Sequence, residues 1–137
     1  MTIDIMETLG EARKLNEAGE NSEAQKLLRE VLVVDPGNQL AHLMLGGAYF
    51  CENKYTEAEV IFKNLVSLAP AVGKFSIALF NTQWKLGLYK ESIAEIKRFL
   101  AIADKDLEKH TIEEYVQITK NLANKGMLNI DKNNCPH

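Results

Sequence analysis

The chain has 137 residues, 46% of them hydrophobic and 26% charged, with a net charge of −3. That length holds one compact domain or one short repeat array, and the small acidic excess offers no basic face for nucleic acid. No apolar run reaches the ~18 residues that span a bilayer, the opening MTIDIMETLGEARK lacks the charged start and apolar core of a signal peptide, and two cysteines, Cys51 and Cys135, make no disulfide framework. A cytoplasmic protein without membrane insertion is expected.

From the N-terminus, residues 1–36 carry eight acids and four bases, distributed around two helical patterns expected near 4–18 and 22–34. Gly19 lies in the turn between them, where a positive φ costs glycine little. Ser22-x-x-Gln25 reads as a capping box that starts the second helix. Pro36 follows its end.

The stretch Gln39–Pro70 repeats this plan most clearly. Leu40, Leu43, Met44, Leu45, Ala48 and Tyr49 mark one helix (38–52). Ala58, Ile61, Phe62, Leu65 and Leu68 mark a second (56–69), at the i, i+3, i+4, i+7 spacing of one helical face. Glu52, Asn53 and Lys54 form the polar break. Thr56-x-x-Glu59 reads as another capping box, and Pro70 ends the helix by pushing its predecessor out of the α region. Gly46 and Ala58 are small where the two helices would cross. A 32-residue hairpin cannot bury its own apolar face, so it needs neighbours of the same build.

Those neighbours come at a period of 34. Ala24, Ala58 and Ser92 form a small-residue column. Leu28, Phe62 and Ile96, then Val31, Leu65 and Phe99, form bulky ones, and Val34, Leu68 and Ile102 a fourth. Asn21, Tyr55 and Tyr89 share the position before each second helix. The third copy predicts helices near 72–86 and 90–103, with Gly87 in the turn, but has Phe80 in place of the small residue and Asp104 in place of proline. These columns resemble the tetratricopeptide repeat, with Leu45-Gly46, Tyr49, Ala58, Phe62 and Pro70 the best-matched copy. The resemblance covers about 100 residues and implies an all-α fold: a right-handed superhelical solenoid of antiparallel helix hairpins, about seven helices in all. The domain plan is three repeats over 1–104 (5–36, 39–70 and 73–104), a capping helix within 105–125, and a mobile tail over 126–137.

Past Asp104 the period fails. Ile112, Tyr115, Val116, Thr119, Leu122 and Ala123 make one apolar face opposite Glu113, Glu114, Gln117, Lys120 and Asn121. Thr111-x-x-Glu114 is the expected cap and Asn124-Lys125-Gly126 the stop. A helix there would cover the face that the third repeat leaves open.

No constellation for catalysis or metal binding appears. His42 sits inside a helix and reads as a packed or half-buried histidine; Cys135-Pro136-His137 offers two of the four ligands of a structural zinc site; no phosphate loop, H-E-x-x-H or G-x-S-x-G motif is present. No enzyme activity, cofactor or metal is expected. The informative feature is that helix 38–52 is apolar almost all round. Leu40, Leu43 and Phe50 fall outside its packing face, whereas a surface helix normally shows one apolar stripe.

In the tetratricopeptide family the first helix of each hairpin lines a concave surface. Carried onto this chain, that surface takes Met6, Leu9, Arg13, Asn16 and Glu17 from copy one. Copy two supplies Leu40, Leu43, Gly47, Phe50 and Cys51; copy three supplies Lys74, Ile77, Asn81, Trp84 and Lys85. Gly47 would open a notch between Leu43 and Phe50. Family members that clamp a chaperone's C-terminal carboxylate use Lys, Asn and Arg at places that here hold Leu9, Arg13, Met44, Lys74 and Ala78, so only Lys74 matches and a clamp is not expected. The expected function is a protein-interaction module, an adaptor or chaperone similar to three-repeat bacterial secretion chaperones, holding a peptide or helix of another protein. A toxin-blocking cognate inhibitor and a structural subunit are the alternatives. Burial of the same stripes by the C-terminal segment, or in a homodimer, competes with a partner groove.

Overall fold

The computed structural model describes residues 3–125. Among these are seven α-helices and no strands: α1 (Ile5–Glu17), α2 (Asn21–Val34), α3 (Gln39–Cys51), α4 (Tyr55–Leu68), α5 (Gly73–Lys85), α6 (Tyr89–Ile102) and α7 (Lys109–Asn124). The expected tail over 126–137, with Cys135 and His137, lies outside the described residues. Contacts divide the chain into two compact units, Met1–Leu65 and Val66–His137.

One turn recurs three times at the period of 34. Gly19, Asn53 and Gly87 each take a positive φ, 81°, 61° and 77°. The following N–H reaches back five residues in every case: Glu20 to the Leu15 carbonyl, Lys54 to Tyr49, Leu88 to Gln83. The left-handed residue itself donates to Asn16, Phe50 or Trp84. This is the Schellman ending of a helix, and it closes α1, α3 and α5 in the same way. The sequence signals glycine at two of these positions; at the third, Asn53 is one of the few other residues that tolerates the left-handed region.

The second helices start one residue earlier than expected, at Asn21, Tyr55 and Tyr89. Glu20, Lys54 and Leu88 already accept the first helical bonds, from Ala24, Ala58 and Ser92. The predicted capping boxes are therefore corrected. Ser22 and Thr56 fall inside their helices, and α2 has no side-chain cap. Thr111 is likewise inside α7, whose N-terminus also lacks one. The side-chain caps that do form are at Asp4, which accepts from the Glu7 N–H at 3.0 Å, and Asn38, which accepts from Ala41 at 2.8 Å. Where copy three has Asp104 for proline, its carboxylate accepts from the Leu107 and Asp106 N–H groups, both at 2.9 Å. Those two bonds hold its carboxyl below the usual range.

Three of the four repeat columns form the core. Ala24, Ala58 and Ser92 are fully buried, as are Val31, Leu65 and Phe99, and Leu28, Phe62 and Ile96 are nearly so. Val34, Leu68 and Ile102 are instead half or more exposed. At 100° per residue, the fourth column lies about 80° round the helix from the first, while the other two stay within about 40° of it. Repetition alone does not imply burial.

In the first unit, Leu9, Ala12, Leu28, Val31, Ala41 and Leu45 form one cluster. Gly46 is as small as it must be: a Cβ there would lie 2.5 Å from Cε1 of Phe62. In the second unit the same pair of columns holds Phe80 and Ile96, so the bulk moves from the second helix of the hairpin to the first. Phe80, Trp84, Ile96, Phe99, Tyr115, Ile118 and Leu122 make that core, with Tyr115 edge-on to both Phe80 and Phe99 at 5.8 and 5.6 Å. The buried face of α7 is Tyr115, Ile118 and Leu122. The expected face is thus rotated: Ile118 is in it, and Val116, Thr119 and Ala123 are exposed.

Candidate partner-binding site

In the first unit the face expected for a partner is contributed by α1 and α3. Met6 is 73% exposed, whereas Leu9 is only 3% exposed and belongs to the core. Arg13 and Glu17 are exposed; Asn16 is half-buried. On α3, Leu40 is 37% exposed, Leu43, Gly47 and Phe50 are half-buried, and Cys51 is an exposed free thiol. Phe50 is held by an edge-on contact with Tyr55, 5.1 Å between centroids. A Cβ on Gly47 would meet nothing within 4 Å, in contrast to its neighbour Gly46. One helix thus presents two unlike glycines: the first lies against Phe62 in the core, and at the second an added methyl would meet open space.

Polar bonds brace this helix from behind. Asn38 caps it, Arg29 of α2 donates to the Tyr49 hydroxyl at 2.7 Å, and Gln25 donates to the Glu52 carboxylate. His42 is half-buried with its ring Nε2 2.9 Å from the Pro36 carbonyl, a geometry in which Nε2 carries the proton and donates. A half-buried histidine is one of the two readings that its place in the helix suggested.

In the second unit, Lys74 and Lys85 are exposed and Ile77 and Asn81 half-buried. Trp84 requires a correction: it is 1% exposed and lies in the core. Its ring stacks on Phe80 at 5.9 Å and meets Tyr89 at 4.6 Å, and Ile118 and Leu122 of α7 join the same cluster. The side chain expected to anchor a partner shares its cluster with the chain's own last helix.

Sequence reasoning missed a buried polar chain in this unit. Glu95, nearly buried on α6, accepts from Nε and Nη2 of Arg98 at 2.8 and 2.6 Å and from the Ser76 hydroxyl at 2.6 Å. The single Ser76 proton is committed to Glu95, so the Tyr115 hydroxyl, 2.6 Å from Ser76, is the donor to it. Arg98 Nη1 also donates to the Pro70 carbonyl at 2.9 Å. Donating to the Glu95 carboxylate raises the Arg98 pKa further above its ordinary value. Burial pushes the Tyr115 phenol well above its ordinary value, with the Glu95 carboxylate adding to the shift. A signal was present: Glu95 occupies the column of Leu27 and Ile61, where a charge is out of place. Among the described residues no group of three or more His, Cys, Asp or Glu side chains is arranged to hold a metal ion, and no helix is long and apolar enough to cross a membrane.

This arrangement of hairpins, closed by one recurring turn, is the tetratricopeptide-repeat fold. The chain is similar to the first tetratricopeptide domain of Spaghetti (RPAP3), solved bound to the HSP90 peptide SRMEEVD, with a TM-score of 0.70 and 20% identity over 87% of this chain and 95% of that one. It is also similar to a mutant O-GlcNAc transferase of Thermobaculum terrenum, with a TM-score of 0.65 and 22% identity over 74% of this chain. Only 20% of the transferase chain is covered, so the likeness extends to a fifth of that enzyme. No protein-family model and no curated protein sequence matches the chain.

Proposed function

We propose that this protein is a non-enzymatic interaction module, an adaptor or chaperone, that holds a peptide or helix of a partner protein against the outer face of α3. The observation that carries the reading is the second apolar stripe of that helix. Leu40, Leu43 and Phe50 lie outside its packing face, and between the last two in sequence a Cβ at Gly47 would meet nothing within 4 Å. Arg13 and Glu17 on α1 are assigned to orient the contact in the first unit; Lys74, Ile77, Asn81 and Lys85 on α5 are assigned to a corresponding contact in the second unit, taken by itself. Trp84 is withdrawn from the set because it is buried.

The Spaghetti domain carries a peptide, which supports peptide binding as a use of this fold. The residues here favour a different peptide chemistry from a clamped carboxylate. Of the places a clamp would need, Leu9 is in the core and Met44 packs against it; Lys74 alone matches. A partner segment with apolar side chains fits α3 better than an acidic chain end. The exposed thiol of Cys51 suits a reducing, cytoplasmic setting.

The test is affinity capture from native extract by wild type beside Leu40→Glu and Leu43→Glu, each checked for helicity by circular dichroism. A partner retained by wild type and lost by both folded variants supports the reading. A partner that stays on all three refutes the assignment of α3, and recovery of a second copy of this chain alone means that the stripe is a homodimer interface.

A further inference from the structure

We propose that the second half of α7 is a displaceable lid over an interaction surface on α5, and that an amphipathic helix of a partner protein takes its place there. The inference rests on the interaction-module reading above but concerns a different face, in the second unit alone.

The two halves of α7 are held differently. It runs parallel to α5, with Glu108 Oε1 accepting from the Gly73 N–H at 3.0 Å, the Tyr115 hydroxyl on Ser76, and the Tyr115 ring edge-on to Phe80. The first half is thus tied by a helix-terminal bond and by the chain Tyr115–Ser76–Glu95–Arg98. Beyond Tyr115, the buried side chains of α7 are Ile118 and Leu122. Among the described residues, the side-chain hydrogen bonds of that half stay within α7: Gln117 to Asn121, and Thr119 to the Tyr115 carbonyl. Among the described residues of α7, polar tethers therefore end where the apolar contact with the Trp84 cluster begins.

The surface beneath is not satisfied by what covers it. Trp84 Nε1 and the Tyr89 hydroxyl are both buried without a hydrogen-bond partner among the described residues. A buried donor without an acceptor is unfavourable, and opening the cluster that Ile118 and Leu122 complete would let water reach these groups. A tryptophan and a tyrosine 4.6 Å apart, each with a polar atom unspent, have the chemistry that anchors interfaces. The occupant that fits is set by α7 itself. It is a helix presenting apolar side chains at the spacing of Tyr115, Ile118 and Leu122, with one carboxamide or carboxylate placed to accept from Trp84 Nε1.

Trp84 is the one tryptophan of the chain, so its fluorescence reads the lid without a label. Acrylamide quenching is compared between wild type and the full-length variants Leu122→Ala and Ile118→Ala/Leu122→Ala, with circular dichroism establishing that α1–α6 remain folded. The expected result is a quenching constant raised roughly twofold or more in a variant that keeps its helicity, as local opening without global unfolding requires. A synthetic peptide with the sequence Lys109–Lys125 then returns the quenching to the wild-type value in a saturable way. Quenching that rises only together with loss of helicity overturns the lid. Opening that the peptide does not reverse overturns the helix-for-helix exchange. Neither outcome depends on α3, so failure here is distinct from failure of the capture experiment.

Discussion

Two adjacent glycines make the sharpest test of the fold. Gly46→Ala and Gly47→Ala make the same chemical change one residue apart in α3, and each gains about 1 kcal/mol of helix propensity. At Gly47 the new methyl meets nothing within 4 Å, so the gain stands. At Gly46 it would lie 2.5 Å from Cε1 and 2.8 Å from Cζ of Phe62, whose ring is 3% exposed. Carbon atoms settle at about 3.5–4.0 Å, so the ring must retreat by about 1 Å inside a packed core. Overpacking of that kind costs about 1–3 kcal/mol. Because the propensity term is common to both variants, the difference between them isolates the overpacking cost. Gly47→Ala is expected to be more stable than Gly46→Ala by about 1–3 kcal/mol. Urea unfolding followed by far-ultraviolet circular dichroism measures this directly. Equal stabilisation of both would refute the close approach of α3 to Phe62.

The remaining predictions concern the other faces. Ala58→Leu overpacks a fully buried position and should cost about 1–3 kcal/mol in thermal or urea unfolding, while Leu43→Glu, at a half-buried position, should cost clearly less; the opposite order would mean that the core and binding faces are exchanged. Tyr115 has its pKa raised on folding, so its contribution is fully present below the unfolded-state value of about 10 and is lost as pH rises toward the folded-state value. Above about pH 10 the wild type should lose up to about 1.4 kcal/mol per pH unit more than Tyr115→Phe, read by Trp84 fluorescence during denaturation; parallel pH profiles would exclude Tyr115 as the titrating group.

What the sequence made legible is what local chemistry and the period decide. The Ala24, Ala58 and Ser92 column, the glycine turns at 19 and 87, and the seven helices are all matters of spacing along one chain. The caps were misplaced because Ser22 and Thr56 carry the capping-box pattern, while the Schellman turn just before them already sets the helix start. The outer stripe of α3 was also legible, since Leu40, Leu43 and Phe50 are too many apolar residues for one packing face. Trp84 was not. Its position on α5 matched that of an expected partner contact, and its burial comes from a cluster that also takes in Ile118 and Leu122 of α7, some thirty residues further on.

The third hairpin departs from its repeat at several places, and these departures share a cause. A Cβ on Gly73 would collide with Thr111 and Glu108. Ser76 takes the Tyr115 hydroxyl, Glu95 takes Ser76 and Arg98, Phe80 meets the Tyr115 ring, and Trp84 shares a cluster with Ile118 and Leu122. Each odd residue contacts α7, supports a residue that does, or shares its core cluster. A repeat that merely needed a polar end-cap would require only an outer helix with a soluble face. Here the last hairpin has been reshaped around one particular helix, with a glycine at one end, a hydrogen-bonded tyrosine in the middle and an aromatic pair at the other end. Among the described residues, the polar bonds of that fit stop at the middle of α7. The unsatisfied Trp84 and Tyr89 belong to the cluster that the second half of α7 completes with Ile118 and Leu122, which is why the lid is proposed there.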